Sequence, residues 1–320
     1  VSSRRGELKL FAGSSNVQLA RKICERIHVE LGALTLRKFS DGEMFVEIGE
    51  NVRGRDVFVL QSLCRPVNDN LMELLIMIDA LKRASAGRIT AAIPYYGYAR
   101  QDRKNAPRVP ISAKLVADLL HAAGAQRVVT MDLHAGQIQG FFNMPVDNLY
   151  ASEIFFPFMR EKFMGNKIIV VSPDAGGMAR ARAYGKVLNT PIAMIDKRRP
   201  RANEAEVMNV IGKVEGFTCL ILDDISDTSG TLVQAAQALK SQGAEEIYAF
   251  ITHPVLSGPA VERICNSTIE KLYVSDTIPL QDDAKNCNKI ASLSVADIFA
   301  SAIICVHKDS SISSLFTIQH

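Results

Sequence analysis

The sequence is that of an α/β protein with mainly parallel sheets, and three observations point there. Short continuous apolar runs alternate with amphipathic stretches, two of those stretches end in Gly-Ala, and one strand-helix-strand unit occurs twice. The apolar runs expected as strands are LKLFAG (8–13), DVFVLQS (56–62), RITAAIP (88–94), RVVTMDL (127–133), KIIVVSP (167–173), PIAMID (191–196), TCLILDD (218–224), EIYAFIT (246–252) and KLYVSDT (271–277). Most lack polar alternation, which suits strands covered on both faces, where neither side meets water. NDNLMELLIMIDALKRASAG, ISAKLVADLLHAAGA and GTLVQAAQALKSQGA read as helices, and the Gly-Ala that closes the last two is a common helix stop.

The repeated unit is seen in KLVADLLHAAGAQRVVTMDLH and LVQAAQALKSQGAEEIYAFITH. Each is a helix, a Gly-Ala stop, a strand, and a histidine at the same offset from the glycine: Gly124 to His134, Gly243 to His253. An apolar strand precedes each, AAIPYYG in one case and CLILDDIS in the other, with a longer insert in the first copy. Two similar tandem domains, 1–150 and 151–320, follow from this. Chance likeness between generic α/β units is the alternative.

Composition narrows the function. A net charge of +3 over 320 residues creates no strong global field, so any anion site must be built from local clusters. The six cysteines (24, 64, 219, 265, 287, 305) show no C-x-x-C spacing, and the expectation is buried thiols in a reducing cytoplasm rather than disulfides or zinc. No uncharged run approaches the ~20 residues of a membrane span, and the first residues lack a signal-peptide core. A soluble cytoplasmic protein is expected.

The chemistry concentrates at strand ends. LILDDISDTSGT (220–231) carries a buried strand into Asp223, Asp224 and Asp227, then Thr228, Ser229, Gly230 and Thr231 before a helix. Amides and hydroxyls of residues 227–231 suit a phosphate monoester, and Gly230 lets backbone approach closely. Asp223 and Asp224 are repelled by that phosphate, so they are expected to accept bonds from sugar hydroxyls or to help hold a hydrated divalent cation. An acidic turn with a helix cap is the bland reading.

VVSPDAGGMARA (170–181) repeats the logic, with Gly176 and Gly177 offering amides to a diphosphate, Ser172 at the strand end and Asp174 within reach of its metal ion. An ordinary strand-to-helix turn is the competing reading. Neither G-x-x-x-x-G-K-[ST] nor a strand followed by G-x-G-x-x-G occurs, so P-loop and dinucleotide sites are excluded. YARQDRKNAPR (98–108) packs Arg100, Arg103, Lys104 and Arg108 together, and His134 stands at a strand end as a metal or phosphate ligand or as a satisfied polar residue. IDKRRPRANEAEV (195–207) reads as a cationic loop after a strand, and without interleaved aromatics it does not argue for nucleic acid.

The ordered set FAGSSNVQLA, KFSDGE, VRGRDVFVLQS, NDNLMELLIM, PYYGYARQDRK, DLHAGQIQGFF, SPDAGG, KRRPR, DDISDTSGT and THPVLSGPAVERI resembles the ribose-phosphate pyrophosphokinases of the phosphate-activated bacterial type, over nearly the whole chain. The resemblance implies two tandem phosphoribosyltransferase-like domains, with the last helix packing back on the first. It also implies a homohexamer that transfers the β,γ-diphosphoryl group of ATP to the C1 hydroxyl of ribose 5-phosphate, with Mg2+. By the same resemblance Asp223, Asp224, Asp227, Thr228, Ser229, Gly230 and Thr231 hold ribose 5-phosphate, and Ser172, Asp174, Gly176 and Gly177 form the pyrophosphate loop. His134 and Asp174 meet magnesium, while Arg100, Gln101, Asp102 and Arg103 flank ATP. Phe39, Asp41 and Glu43 close the adenine pocket from a neighbouring subunit, and Lys197, Arg199 and His134 are catalytic. Regulation by inorganic phosphate and ADP maps to Arg53, Ser311 and Ser313. Ser226 falls at a position the family varies, and Ser314 stands where an aromatic is often found.

Two rivals remain. A phosphoribosyltransferase needs one such domain and has no use for KFSDGE or YARQDRK. A non-catalytic regulatory relative is expected to have damaged loops, whereas SPDAGG, KRRPR and DDISDTSGT are intact.

Overall fold

The computed structural model describes residues 6–198 and 207–317, in two units. The first contains residues up to Tyr150, with Thr277–Pro279 and Ser294–Phe316. Its elements begin with β1 (Leu8–Ala12), α1 (Val17–Ile27), β2 (Leu34–Lys38), β3 (Met44–Ile48), β4 (Asp56–Leu60) and α2 (Val67–Arg83). They continue with β5 (Arg88–Ile93), α3 (Ser112–Ala123), β6 (Arg127–Met131) and β7 (Val146–Leu149). Strands β1-β4-β5-β6-β7 form one sheet in that order, every pair parallel.

Helices α2 and α3 cover one face of this sheet through a core that includes Val57, Val59, Leu74, Met77, Ile89, Val116, Leu120 and Val128. Leu10, Phe58, Leu60 and Val129 are equally buried. Burial of successive residues along β4 is what its unbroken apolar run requires, because neighbouring side chains in a strand point to opposite faces. The β2-β3 hairpin is a separate antiparallel sheet packed on α2.

The second unit holds α4 (Ser152–Lys162), β8 (Ile168–Ser172), α5 (Met178–Leu188), β9 (Ile192–Arg198), β10 (Val207–Ile211) and β11 (Thr218–Ser226). It continues through α6 (Gly230–Ser241), β12 (Glu246–Pro254), α7 (Ala260–Cys265), β13 (Lys271–Ser275), α8 (Asp282–Asn286) and β14 (Ile290–Leu293). The sheet order is β10-β9-β8-β11-β12-β13-β14, parallel except for β10 at the edge. Ile169, Val171, Ile221, Ile247, Ile251 and Leu272 face a core with Leu232 and Leu239 of α6. On β12 the alternate residue Phe250 packs edge-to-face against Phe155 of α4, 5.5 Å between ring centres.

The last helix, α9 (Ala296–His307), belongs to the first unit and packs on α1. Its end is anchored by a buried acid: Asp56 takes both prongs of the Arg88 guanidinium at 2.5 and 2.7 Å, and His307 Nδ1 lies 2.7 Å from the same carboxylate.

Every run expected as a strand forms one. Strands β2, β3, β7, β10 and β14 carry no comparable apolar run; β2 and β3, for example, contain no fully buried residue. The cationic stretch after position 195 is also not all loop, since β9 continues to Arg198 and pairs with β10. Arg199 lies outside the described residues.

The cysteine expectation needs correction. Cys265 at the end of α7 and Cys287 just after α8 form a disulfide, with Cα atoms 6.5 Å apart. Spacing along the chain could not show it, because the two cysteines are 22 residues apart with β13 between them. Cys24, Cys64 and Cys219 are buried thiols, and burial pushes the first two up to about 11. Among the described residues no helix is long and apolar enough to cross a membrane.

Candidate active site

In the second unit the chain runs from β8 to β9 on one side, then returns to place β11 on the other side of β8. A reversal of this kind leaves a crevice beyond the strand ends, because the two following connections diverge. SPDAGG leaves β8 there and DDISDTSGT leaves β11 there. Pairing between the two strands stops at Val171 and Ile221, so Asp223 and Asp224 lie just past the last shared ladder position.

The β8 loop is tied within itself. Ser172 Oγ donates to the Asp174 carbonyl at 2.7 Å, and the Gly177 amide donates to Asp174 Oδ1 at 3.0 Å. A Cβ at Gly177 would stand 2.6 Å from the Ser172 hydroxyl, so a larger residue would have to displace it. One amide expected to meet a diphosphate is therefore held by the loop's own carboxylate.

The β11 loop is buttressed from the segment that follows β12. Ser257 Oγ donates to Asp227, and Arg263 Nη1 donates to the Thr228 carbonyl at 2.9 Å. Ser229 adopts a left-handed backbone, φ 58°, with its hydroxyl 2.8 Å from that of Ser226. A non-glycine residue held there is strained locally and must be maintained by its surroundings. Gly230 then opens α6, and a Cβ there would come within 3.3 Å of the Arg263 guanidinium.

Asp223 and Asp224 face a common cation. Arg180, in the first turn of α5, lies 3.5 Å from Asp223 Oδ1 and 3.3 Å from Asp224 Oδ1. The Asp224 side chain is 8% exposed and that of Asp223 30%. Burial, and then the neighbouring Asp224 charge, raise the Asp223 carboxyl well above the usual carboxylate range, with Arg180 opposing. Sequence reasoning missed Arg180, although its place three residues after a Gly-Gly turn into a helix was a usable signal. It also missed Ser257 and Arg263, which lie more than one element away.

In the first unit the structure brings the residues flanking 100 to the loop after β6. Asp102 accepts a bond from Gln137 at 2.8 Å, tying residues 98–108 to the turn that follows His134. Arg100, Gln101, Arg103 and His134 are exposed. Gln101 is partly structural, since its side chain accepts from Ser112 and its carbonyl from the Ala113 amide at the start of α3.

Phe39, Asp41 and Glu43 sit apart, at the tip of the β2-β3 hairpin. Asp41 accepts from the Glu43 amide, and Phe39, 44% exposed, packs edge-on to Phe45 under the Arg37 guanidinium. Arg53 lies in the turn before β4, and Ser311 and Ser313, with hydroxyls 2.6 Å apart, follow α9. The backbone of Lys197 is in β9, opposite Met208.

Among the described residues no group of three or more His, Cys, Asp or Glu side chains is arranged to hold a metal ion. Asp174 is exposed with Oδ1 engaged by the Gly177 amide. That donor set fits magnesium, which keeps several waters and binds through one or two carboxylates plus substrate phosphates.

Residues 8–124 match the N-terminal domain of ribose phosphate pyrophosphokinase, and residues 197–317 match the phosphoribosyl synthetase-associated domain. The ribose-phosphate pyrophosphokinase of Bordetella pertussis is 56% identical over 308 residues, covering 96% of this chain and 99% of its own. That of Caldanaerobacter subterraneus subsp. tengcongensis is 58% identical over 310 residues, covering 97% and 98%. The crystal structure of phosphoribosylpyrophosphate synthetase from Mycobacterium smegmatis is 43% identical, covers 95% of this chain and 100% of that one, and superposes with a TM-score of 0.91. With both family domains in order and this identity along its length, the chain belongs to the ribose-phosphate pyrophosphokinase family, enzymes that act as diphosphotransferases.

Proposed function

We propose that the enzyme transfers the β,γ-diphosphoryl group of ATP to the C1 hydroxyl of ribose 5-phosphate, giving 5-phosphoribosyl 1-diphosphate and AMP. The observation that carries this reading is the pair Asp223 and Asp224 beside a hydroxyl-rich turn, at the strand reversal where the Asp174 loop also emerges. Acids that repel phosphate but accept from a diol, next to a turn that donates to phosphate, match a phosphorylated sugar better than a nucleobase or a metal cluster.

In this reading the region 151–320 holds ribose 5-phosphate on Asp223, Asp224 and residues 227–231, with Ser172, Asp174, Gly176 and Gly177 beside the diphosphate. The region 1–150 supplies the ATP side through Arg100, Gln101, Asp102 and Arg103, with Phe39, Asp41 and Glu43 entering from a neighbouring subunit of a hexamer. The C1 oxygen attacks Pβ, the bond from Pβ to the AMP oxygen breaks, and the hydroxyl proton is released. Alignment and charge neutralisation do the work, with no covalent enzyme intermediate. His134 and Asp174 would hold magnesium, which would supply charge neutralisation to the substrate phosphates. Lys197 and Arg199 compensate charge on the group in flight. Arg53, Ser311 and Ser313 are assigned to phosphate and ADP regulation, and the enzyme acts in the cytoplasm.

Phosphorus NMR of the protein with ATP, ribose 5-phosphate and magnesium tests the reading. AMP and a C1 diphosphate should rise together in equal amounts; ADP with a sugar monophosphate ester would refute it.

A further inference from the structure

We propose that Arg180 is a positioning residue for the sugar, holding Asp223 and Asp224 in their binding geometry and linking that geometry to the loop from which α5 starts. The inference rests on the reading that this acid pair binds ribose 5-phosphate.

Two adjacent carboxylates at one strand end repel each other, and burial makes the repulsion worse. The Asp224 amide donates to Asp223 Oδ1 at 2.9 Å, a neutral dipole that offsets only part of the charge. Arg180 is a cation that lies against both: its Nη1 is 3.5 Å from Asp223 Oδ1 and 3.3 Å from Asp224 Oδ1, its Nη2 is 3.3 Å from the latter, and its side chain is 23% exposed. A guanidinium is a planar fork that spans two acceptors at once, whereas an ammonium is a point charge with one centre.

The position of that fork is set by the neighbouring loop. Arg180 follows Gly177 by less than one helical turn, and the Gly177 amide is held by Asp174 while Ser172 holds the Asp174 carbonyl. The bond from the Gly177 amide to Asp174 Oδ1 ties the start of α5 to the loop. The sugar-binding acids therefore take their orientation from the loop assigned to the diphosphate, and the two half-sites share one side chain.

Steady-state kinetics and calorimetric titration of ribose 5-phosphate on Arg180→Ala, Arg180→Lys and Asp224→Ala test this. Arg180→Ala should raise KM for ribose 5-phosphate by about tenfold or more, the loss of charge-assisted bonds, while KM for ATP stays within about twofold. Arg180→Lys should fall between, which also serves if the alanine variant folds poorly. Added guanidinium ion should restore ribose 5-phosphate affinity to Arg180→Ala where sodium at equal ionic strength does not. Equal loss for both substrates, a loss confined to ATP, or no guanidinium rescue in a folded variant would overturn the inference. If Asp224→Ala weakens ribose 5-phosphate and Arg180→Ala does not, this inference fails while the assignment of the acids stands. If Asp224→Ala leaves ribose 5-phosphate unaffected, the assignment itself is wrong.

Discussion

The two units use one strand-helix-strand motif to different ends. β5-α3-β6 and β11-α6-β12 both pair in parallel, and each ends near a histidine at the same offset from a helix-stopping glycine. In the first unit the sheet grows in one direction, β1-β4-β5-β6-β7, while in the second it reverses at β8. His134 is exposed beyond the end of β6, whereas His253 is buried inside β12.

The acids differ in the same sense. Glu73 in the first unit, 2% exposed, accepts from the Ser14 amide at 2.5 Å, the Ser14 hydroxyl at 2.9 Å and Gln61 at 2.7 Å. The loop from β1 into α1 is thus filled by the protein's own anion. In the second unit the acids stand at the reversal, with Arg180 against both. A strand-end loop is structural when internal groups satisfy it and a binding site when a ligand must complete it.

The comparison is broken or sharpened first at Lys197. Lys197→Ala should lower kcat by about 10² to 10³, the effect of removing one positioned charge donor, with ATP affinity little changed. Stopped-flow single turnovers measure it, and near-normal kcat with weakened ATP binding would make the end of β9 a binding surface only. Asp224→Ala should raise KM for ribose 5-phosphate by about 10- to 100-fold, the scale of bonds to a charged group, and leave ATP binding nearly intact.

Glu73→Ala should do the reverse. It strands the buried Gln61 amide at about 1–3 kcal/mol, so thermal denaturation should show lost stability while KM for both substrates holds. If Glu73→Ala altered ribose 5-phosphate binding and left stability unchanged, the contrast between filled and open loops would collapse.

A smaller effect concerns pH. The folded state keeps the proton on Asp223 more tightly than the unfolded chain does, so this group's contribution to stability declines as pH rises from 3.8 toward about 7, then levels off. Asp223→Asn should flatten that slope in denaturant titrations across the window, and a steeper slope would reverse the sign. Smallest of all, Phe39→Ala should leave the melting temperature almost unmoved, since the ring is exposed at a hairpin tip, and raise KM for ATP a few-fold.

Much of this was legible in short windows. The apolar run of β11, its abrupt change to DDISDTSGT, and the Gly-Gly turn after β8 are local patterns of burial and turn chemistry, and local sterics set them within a few residues. The repeat and the ordered motifs were enough to expect the family and the class of fold. What no window contained was adjacency. That β8 lies against β11 depends on which order of strands buries both faces of the whole sheet, and from it follow the crevice, the placing of Arg180 beside Asp223 and Asp224, and the support of the 227–230 turn by Ser257 and Arg263. The bond between Cys265 and Cys287, 22 residues apart, arises in the same way. Side-chain type and turn propensity are properties of a few neighbouring residues, whereas contacts between distant segments are decided by burial of the assembled core.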